Sequence, residues 1–324
     1  MQVDTNTKTA KQAAALIPAI RASQHTEKGF PLVRWLGDVK LSTEAKDSLI
    51  IRNIKANADD EFFRNLGAAD IAQVPGLGSF IIGWTYDELM HSSSLFGVNY
   101  KPVKKRELPF YKRMFQKIVI VTGSAQGFGQ GIAEELAREG AYVVIADMNL
   151  PLARKVADDI NSDLGDGTAF AVEVDVSNEE SMEALTNRVV LELGGLDLFV
   201  SNAGVLRAGD LEEMDLKSFE FVTKVNYTGY FIGSKYAARP MRLQNRIAKG
   251  TYTDIIQVNS KSGLEGSSKN FAYAGGKFGG IGLTQSFAKE LVVDNIKVNA
   301  VCPGNYYEGP LWSDPVNGLF VQYL

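Results

Sequence analysis

Two side chains in this sequence are spaced for joint proton chemistry. Tyr273 and Lys277 stand four residues apart in a segment that reads as helix, so both project from one face toward the same point. A phenol with its ordinary pKa near 10 is a poor base at neutral pH. An ammonium group beside it favours the phenolate and lowers that pKa. Such a pair can take a proton from an alcohol or return it to a carbonyl oxygen. By itself a Tyr-x-x-x-Lys pair is also an ordinary packing arrangement on a helix surface, so the surrounding chain must decide.

A second chemical signature lies upstream. The apolar run KIVIVT (117–122) leads into Thr122-Gly123-Ser124-Ala125-Gln126-Gly127-Phe128-Gly129, and a helical segment begins at once. Glycines in a strand-to-helix turn let the backbone bend tightly and bring amide N–H groups against a pyrophosphate at the helix N-terminus. Asp147 ends the next apolar run, eighteen residues beyond Gly129. A carboxylate there accepts hydrogen bonds from both adenosine ribose hydroxyls and repels a 2′-phosphate. No arginine or lysine occupies Ser124, Ala125, Gln126 or Met148. The pattern points to NAD rather than NADP as cofactor. The competing use of Asp147 is as N-cap of the helix starting at Leu150. Asp175, after the third strand, stands either near the adenine or in a turn with Ser177.

These residues need a scaffold that presents strand ends side by side. From residue 117 the chain alternates β-branched runs with helical segments, the signature of an α/β fold with a doubly wound parallel (Rossmann) sheet. Strands are expected at Lys117–Thr122, Tyr142–Asp147, Ala169–Val174, Leu196–Val200, Asp254–Val258 and Lys297–Val301. Helices are expected at Gln130–Glu139, Leu150–Asp163, Glu179–Leu193, Leu216–Asn245 and Tyr273–Val293, the fourth kinked or ended at Pro240. Residues 1–110 form a smaller N-terminal region without βαβ rhythm, and residues 111–324 the dinucleotide-binding domain. The N-terminal region carries helical stretches around Lys8–Ser23 and Thr43–Asn57 and a strand–turn–strand at Ile71–Gly83; Tyr100–Lys117 reads as a linker.

Composition narrows the function classes. Of 324 residues, 45% are hydrophobic and 22% charged, as in an ordinary globular protein, and the net charge of −4 argues against nucleic acid as the main partner. The most basic stretch (Lys101, Lys104, Lys105, Arg106, Lys112, Arg113, Lys117) reads as a solvated linker face. Cys302 is the only cysteine, so no internal disulfide can form. The N-terminus lacks a secretory pattern and no apolar run reaches membrane-spanning length, so a cytoplasmic protein without a membrane partner is expected. His25 and His91 are the only histidines, which leaves no basis for a histidine-rich metal site.

Six motifs, in order, resemble the short-chain dehydrogenase/reductase family over residues 117 to about 310: TGSAQGFG (122–129), SNAG (201–204), the asparagine of KVNYTGYF (224–231), the serine of QVNSKSG (257–263), YAGGK (273–277) and PG (303–304). The resemblance implies a catalytic tetrad of Asn226, Ser260, Tyr273 and Lys277. In it Ser260 hydrogen-bonds the substrate oxygen and Asn226 holds a water linking Lys277 to solvent. Gly123, Ser124, Gln126, Gly127, Phe128, Gly129, Asp147, Asp175, Val176, Asn202, Ala203, Gly204, Tyr273, Lys277, Pro303 and Gly304 are implied as cofactor-binding residues. Ser262 competes with Ser260, but the thirteen-residue interval to Tyr273 matches the family at Ser260. Asn259 stands where family members carry serine or alanine. The glycines of 274–282 suit close backbone approach to another helix, and the family's four-helix interface implies a homo-oligomer, dimer or tetramer.

The run 255–291 is most similar to bacterial sorbitol-6-phosphate 2-dehydrogenases, which implies a polyol phosphate substrate and Lys261 or Lys269 near its phosphate. Family members continue past the PG motif to a seventh strand, which this sequence lacks. The sheet is therefore expected to lack its last strand, leaving 297–301 as an edge. IAQVPGLGSFIIG (71–83) is similar to the junction of bifunctional proteins in which an aldolase-like domain precedes a dehydrogenase. With no His-x-His pair, no aldolase activity is expected.

Overall fold

The computed structural model describes residues 5–39, 49–55, 57–98, 112–305, 313–316, 318 and 321. It opens with α1 (Lys8–Ser23), whose start is fixed by the Thr7 hydroxyl accepting from Ala10 N at 3.1 Å. Ala10, Ala13, Ala14 and Ile17 recur at helical spacing and form its buried face. Then come β1 (Leu32–Gly37), β2 (Ile51–Asn53), α2 (Asp60–Arg64), β3 (Ile71–Val74), β4 (Gly78–Gly83) and α3 (Tyr86–Ser94). The four strands form a sheet ordered β1-β4-β3-β2.

The expected hairpin at Ile71–Gly83 is present, with β3 and β4 antiparallel around Gly76 at φ 76°. The expected helix Thr43–Asn57 is not: residues 51–53 are strand, and residues 43–48 lie outside the described residues. Ile50 N donates to the Asp70 carboxylate at 2.8 Å, and β2 then pairs with β3. That pairing is parallel and crosses through α2, so the region does contain one small βαβ unit. Most of the expected linker, with the basic cluster up to Arg106, also lies outside the described residues.

From β5 (Ile118–Thr122) the expected alternation follows: α4 (Gly127–Arg138), β6 (Tyr142–Asp147), α5 (Leu150–Leu164), β7 (Ala169–Glu173), α6 (Glu179–Leu193), β8 (Leu198–Ser201), α7 (Leu216–Thr223), α8 (Gly229–Ile247), β9 (Thr253–Val258), α9 (Phe271–Leu291) and β10 (Ile296–Val301). The six strands pair in parallel in the order β10-β9-β8-β5-β6-β7. All five residues of β5 are buried, as expected for a central strand covered on both faces. Burying each of its Ile and Val side chains contributes roughly 1.5–3 kcal/mol. The chain leaves β5 for β6 on one side and later returns to β8 on the other. A crevice therefore opens at the carboxyl ends of β5 and β8, where such sheets bind ligands. Among the described residues β10 pairs with β9 alone.

The long expected helix 216–245 is divided. A π-helical turn at Lys224–Thr228 separates α7 from α8, and α8 continues through Pro240 to Ile247. Pro240 is buried in that helix, so packing outweighs the cost of a missing hydrogen bond. The N-terminal region docks through α1 on α6 and α8 and through β1 on α6. Leu32, Ile71, Ile81 and Leu89 share one core with Ile118, Val144 and Phe199. At the seam, fully buried Arg21 meets Asp197 at 2.8 Å and also donates to Gln244 and Pro31 O. Asp197 in addition accepts from Ile118 N at 2.8 Å, and β8 starts at Leu198 rather than at the expected Leu196.

Candidate active site

Construction of the site begins at the β5–α4 turn. Gln126 is the N-cap of α4 yet makes no side-chain capping bond, and the first turn carries no acidic residue. The leading amides of the helix thus face the cavity with partial positive charge. Gly127 stands beside them at φ 59°, with nothing within 4 Å of the place a Cβ would take. This is an open cradle for an anionic group. A Cβ on Gly129 would collide with the Gly123 carbonyl and the Asn202 amide. Asn202 Nδ2 donates to Thr122 O at 2.9 Å and Gly123 O at 3.0 Å, which binds the end of β8 to the glycine turn.

Asp147 closes β6. Its carboxylate accepts from Ala125 N at 3.0 Å and Asn149 N at 2.9 Å, so it faces the glycine turn. The cap of α5 is Asn149, which accepts from Leu152 N at 3.1 Å; the N-cap role considered for Asp147 is not the one it takes. Asp175 accepts from both the amide and the hydroxyl of Ser177, and it also borders the cavity.

The cavity measures about 1020 Å³. Gly123, Gln126, Gly127, Phe128, Gly129, Asp147, Asp175, Val176, Asn202, Ala203 and Gly204 line one part of it. Ser260, Tyr273, Lys277, Pro303 and Gly304 line another. Two expected residues are not on the wall. Ser124 is fully buried, its hydroxyl donating to Val121 O at 2.7 Å and accepting from Ala146 N at 3.1 Å, so it braces the turn from behind. Asn226 lies beneath the wall in the π-turn. Its Oδ1 accepts from Val205 N and its Nδ2 donates to Val205 O, both at 2.8 Å, so the side chain clamps the loop after Gly204.

The proton-handling groups converge where β9 ends and α9 begins. Ser260 follows β9, and its hydroxyl accepts from Ser262 N at 3.1 Å. That bond opens the short 3₁₀ turn Lys261–Gly263 and assigns Ser262 its own place. Ser260 lies close enough to Tyr273 to favour its ionised form. Lys277 is buried, donates to Val258 O at 2.8 Å, and holds its ammonium 5.4 Å from the Tyr273 ring centroid. Burial pulls the Lys277 ammonium down to about 8, with the Cys302 thiol opposing. Burial pushes the Tyr273 phenol up, while neighbouring Ser260 acts the other way. The lowering expected from Lys277 is not among the effects that act on the phenol here; burial dominates.

Asn259 carries more of the site than its sequence position suggests. Nδ2 donates to Gln257 Oε1 at 2.8 Å and Lys277 O at 2.9 Å, while Oδ1 accepts from Ser260 N at 2.8 Å. A departure from the usual residue is thus the brace between strand end and helix. The glycines of α9 serve the same junction: a Cβ at Gly279 would meet the Tyr227 ring at 2.6 Å. That close approach seats the π-turn, and Asn226 with it, against α9. Among the candidate phosphate contacts, Lys261 lines the cavity and Lys269 is not among its lining residues. Further wall residues that motif spacing did not single out include Val205, Leu206, Phe221, Ser267, Ser268 and Asn270.

The described residues contain no cluster of three or more His, Cys, Asp or Glu that could hold a metal. No described helix is long and apolar enough to cross a membrane.

Comparison with known proteins agrees with this geometry. The family model for short chain dehydrogenase matches residues 117–311. Sorbitol-6-phosphate 2-dehydrogenase of Escherichia coli is 35% identical over 207 residues, covering 64% of this chain and 76% of its own. The 3-oxoacyl-[acyl-carrier-protein] reductase of Aquifex aeolicus is 36% identical over 188 residues, covering 58% and 73%. Among solved structures, sorbitol-6-phosphate 2-dehydrogenase SrlD from Erwinia amylovora superposes with a TM-score of 0.56 at 39% identity, over 60% of this chain and 73% of that one. A short chain dehydrogenase/reductase from Burkholderia phymatum, in complex with NAD, gives 0.55 at 26% identity, over 59% and 66%. With a family model spanning more than half its length and the matching site in place, the chain is an oxidoreductase-fold protein that belongs to the short-chain dehydrogenase family.

Proposed function

We propose that this protein is an NAD-dependent dehydrogenase that interconverts a secondary alcohol and a ketone, with a polyol phosphate of the sorbitol 6-phosphate kind as substrate. The observation that carries the reading is that Tyr273, Ser260 and Lys277 line the same cavity as Gly127 and Asp147. The uncapped α4 N-terminus suits a pyrophosphate, and the Asp147 carboxylate suits an unphosphorylated adenosine ribose. When bound, a nicotinamide dinucleotide supplies the hydride acceptor and a positive ring that favours a nearby phenolate.

In the oxidative direction Tyr273 removes the hydroxyl proton and Ser260 holds the same oxygen by a hydrogen bond. Lys277, held by Val258 O, sets its ammonium 5.4 Å from the Tyr273 ring, and Ser260 opposes the effect of burial on the phenol. In the reductive direction Tyr273 returns the proton. Lys261 is exposed on the cavity wall, 3.9 Å from Glu265, and is the cation placed to meet a substrate phosphate. The exposed Phe231 on α8 and Phe278 on α9 provide an apolar surface for a homo-oligomeric contact.

The test is the rate of NADH formation with sorbitol 6-phosphate, free sorbitol and 3-hydroxybutyrate, repeated with NADP. Faster turnover of the phosphorylated polyol with NAD supports the reading. Equal rates for all three, or a preference for NADP, would overturn it.

A further inference from the structure

Gln257 stands next to the end of β9 with its side-chain amide buried in the protein. Its Oε1 accepts from Asn259 Nδ2 at 2.8 Å. The Thr284 hydroxyl lies 3.5 Å from the same oxygen and 2.9 Å from Gly280 O. Its one proton faces those two acceptors, so Tyr230 OH donates to it at 3.0 Å. All four side chains are buried, and the polar contacts run from α8 across α9 to the end of β9.

Two glycines make room for the amide pair. A Cβ at Gly280 would stand 2.4 Å from Gln257 Nε2 and 2.7 Å from its Oε1. A Cβ at Gly263 would stand 2.1 Å from Asn259 Oδ1. Burying an amide costs solvation, and a well-packed apolar residue serves stability as well. Satisfied buried polar groups instead hold their neighbours in one geometry.

The geometry held here is that of the reacting groups. Asn259 Nδ2 spends its two hydrogens on Gln257 Oε1 and Lys277 O, while Oδ1 takes Ser260 N. The same strand end therefore grips Lys277 twice, at its carbonyl by Asn259 and at its ammonium by Val258 O. Without Gln257 Oε1, one Asn259 hydrogen is left buried and unbonded, and the side chain shifts to find another acceptor.

We infer that Gln257 is a positioning residue for the alcohol–ketone reaction: acting through Asn259, it sets Ser260 and Lys277 in register with Tyr273. This inference rests on the dehydrogenase reading above. Misplacing a reacting group by about 1 Å costs on the order of 100-fold in rate, so the effect falls on kcat rather than on binding.

The experiment measures kcat, KM, NADH affinity and Tm in the wild type, Gln257→Met and Gln257→Glu. The alcohol is whichever of sorbitol 6-phosphate, sorbitol and 3-hydroxybutyrate the wild type oxidises fastest. Methionine keeps the length of the side chain and removes the acceptor. Glutamate keeps an acceptor oxygen but buries a carboxyl group, which lowers Tm. Gln257→Met is expected to lower kcat roughly 10- to 100-fold, with KM and NADH affinity within about threefold of the wild type. Gln257→Glu is expected to bring kcat back to within about fivefold of the wild type in spite of its lower Tm. A purely structural role makes kcat follow Tm, with the glutamate variant the slower. That order, or a Gln257→Met kcat within about twofold of the wild type, overturns the inference and leaves the dehydrogenase reading intact. If either variant fails to fold, Gly280→Ala decides, because its Cβ pushes the Gln257 amide aside while favouring the helix. A fall in its kcat with NADH affinity and Tm retained supports the inference, and any other outcome overturns it. A wild type that oxidises none of the three alcohols overturns both readings.

Discussion

The side-chain amide of Asn259 donates to the Lys277 carbonyl at 2.9 Å, bridging eighteen residues to join the end of β9 to the middle of α9. The same side chain receives Ser260 N and donates to Gln257, so one buried amide fixes the positions of Ser260 and Lys277 together. Asn259→Ala removes three hydrogen bonds from this junction. We expect a loss of about 2–4 kcal/mol in chemical denaturation. A fall in kcat is expected to exceed any change in NADH affinity. Loss of stability with unchanged kcat would reduce Asn259 to a purely structural role.

Lys277 gives a pH signature. Its folded pKa of about 8 lies below its ordinary value of 10.5, so between those values the unfolded chain binds more protons than the folded one. Stability from this residue therefore rises with pH across that window and is flat below it. Lys277→Met should remove that rise, of order 3 kcal/mol over the full window, and lower kcat strongly. Urea unfolding at pH 7, 9 and about 10.5 distinguishes the two proteins.

Arg21 and Asp197 form the seam between the N-terminal region and the parallel sheet. Burial opposes ionisation of Asp197, yet the Arg21 and Lys117 charges and the Arg21 and Ile118 hydrogen bonds hold its carboxyl below the usual range. That contribution is present above the ordinary aspartate pKa, near 4, and is lost as pH falls below it. Arg21→Met leaves a buried carboxylate without its cation, with an expected cost of about 3–5 kcal/mol by denaturant titration at pH 7. The double variant Arg21→Met with Asp197→Asn should recover part of it.

The parts of the site readable in sequence are those written into short local patterns. A glycine turn between an apolar run and a helix, an acid at the next strand end and Tyr273 with Lys277 one turn apart all depend on near neighbours. What escaped depends on contacts between distant segments. Ser124 matches the glycine motif, but its hydroxyl is drawn behind the turn by Val121 and Ala146. The π-turn at Asn226 arises where α9 passes close at Gly279, which helical periodicity cannot register. Asn270 looks like an ordinary helix cap, and only its missing capping bond sets it apart. Residues 51–53 became strand because β3 offered an edge, against local helical spacing.

The proposed preference for NAD rests on Asp147. Its replacement by serine keeps a short acceptor for Ala125 N while removing the charge that repels a 2′-phosphate. The expected outcome is a shift of roughly 10- to 100-fold in the kcat/KM ratio of NAD to NADP, toward NADP. Steady-state kinetics with both cofactors measures it; an unchanged ratio assigns Asp147 to bracing the turn.

The central claim is that Tyr273 moves the proton, and the most direct test is kcat for NADH formation from sorbitol 6-phosphate in the wild type and in Tyr273→Phe. The substitution removes one hydroxyl and leaves the ring that faces the Lys277 ammonium at 5.4 Å. The account predicts a fall of about 100- to 10,000-fold with NADH affinity retained. Turnover within twofold of the wild type would contradict it.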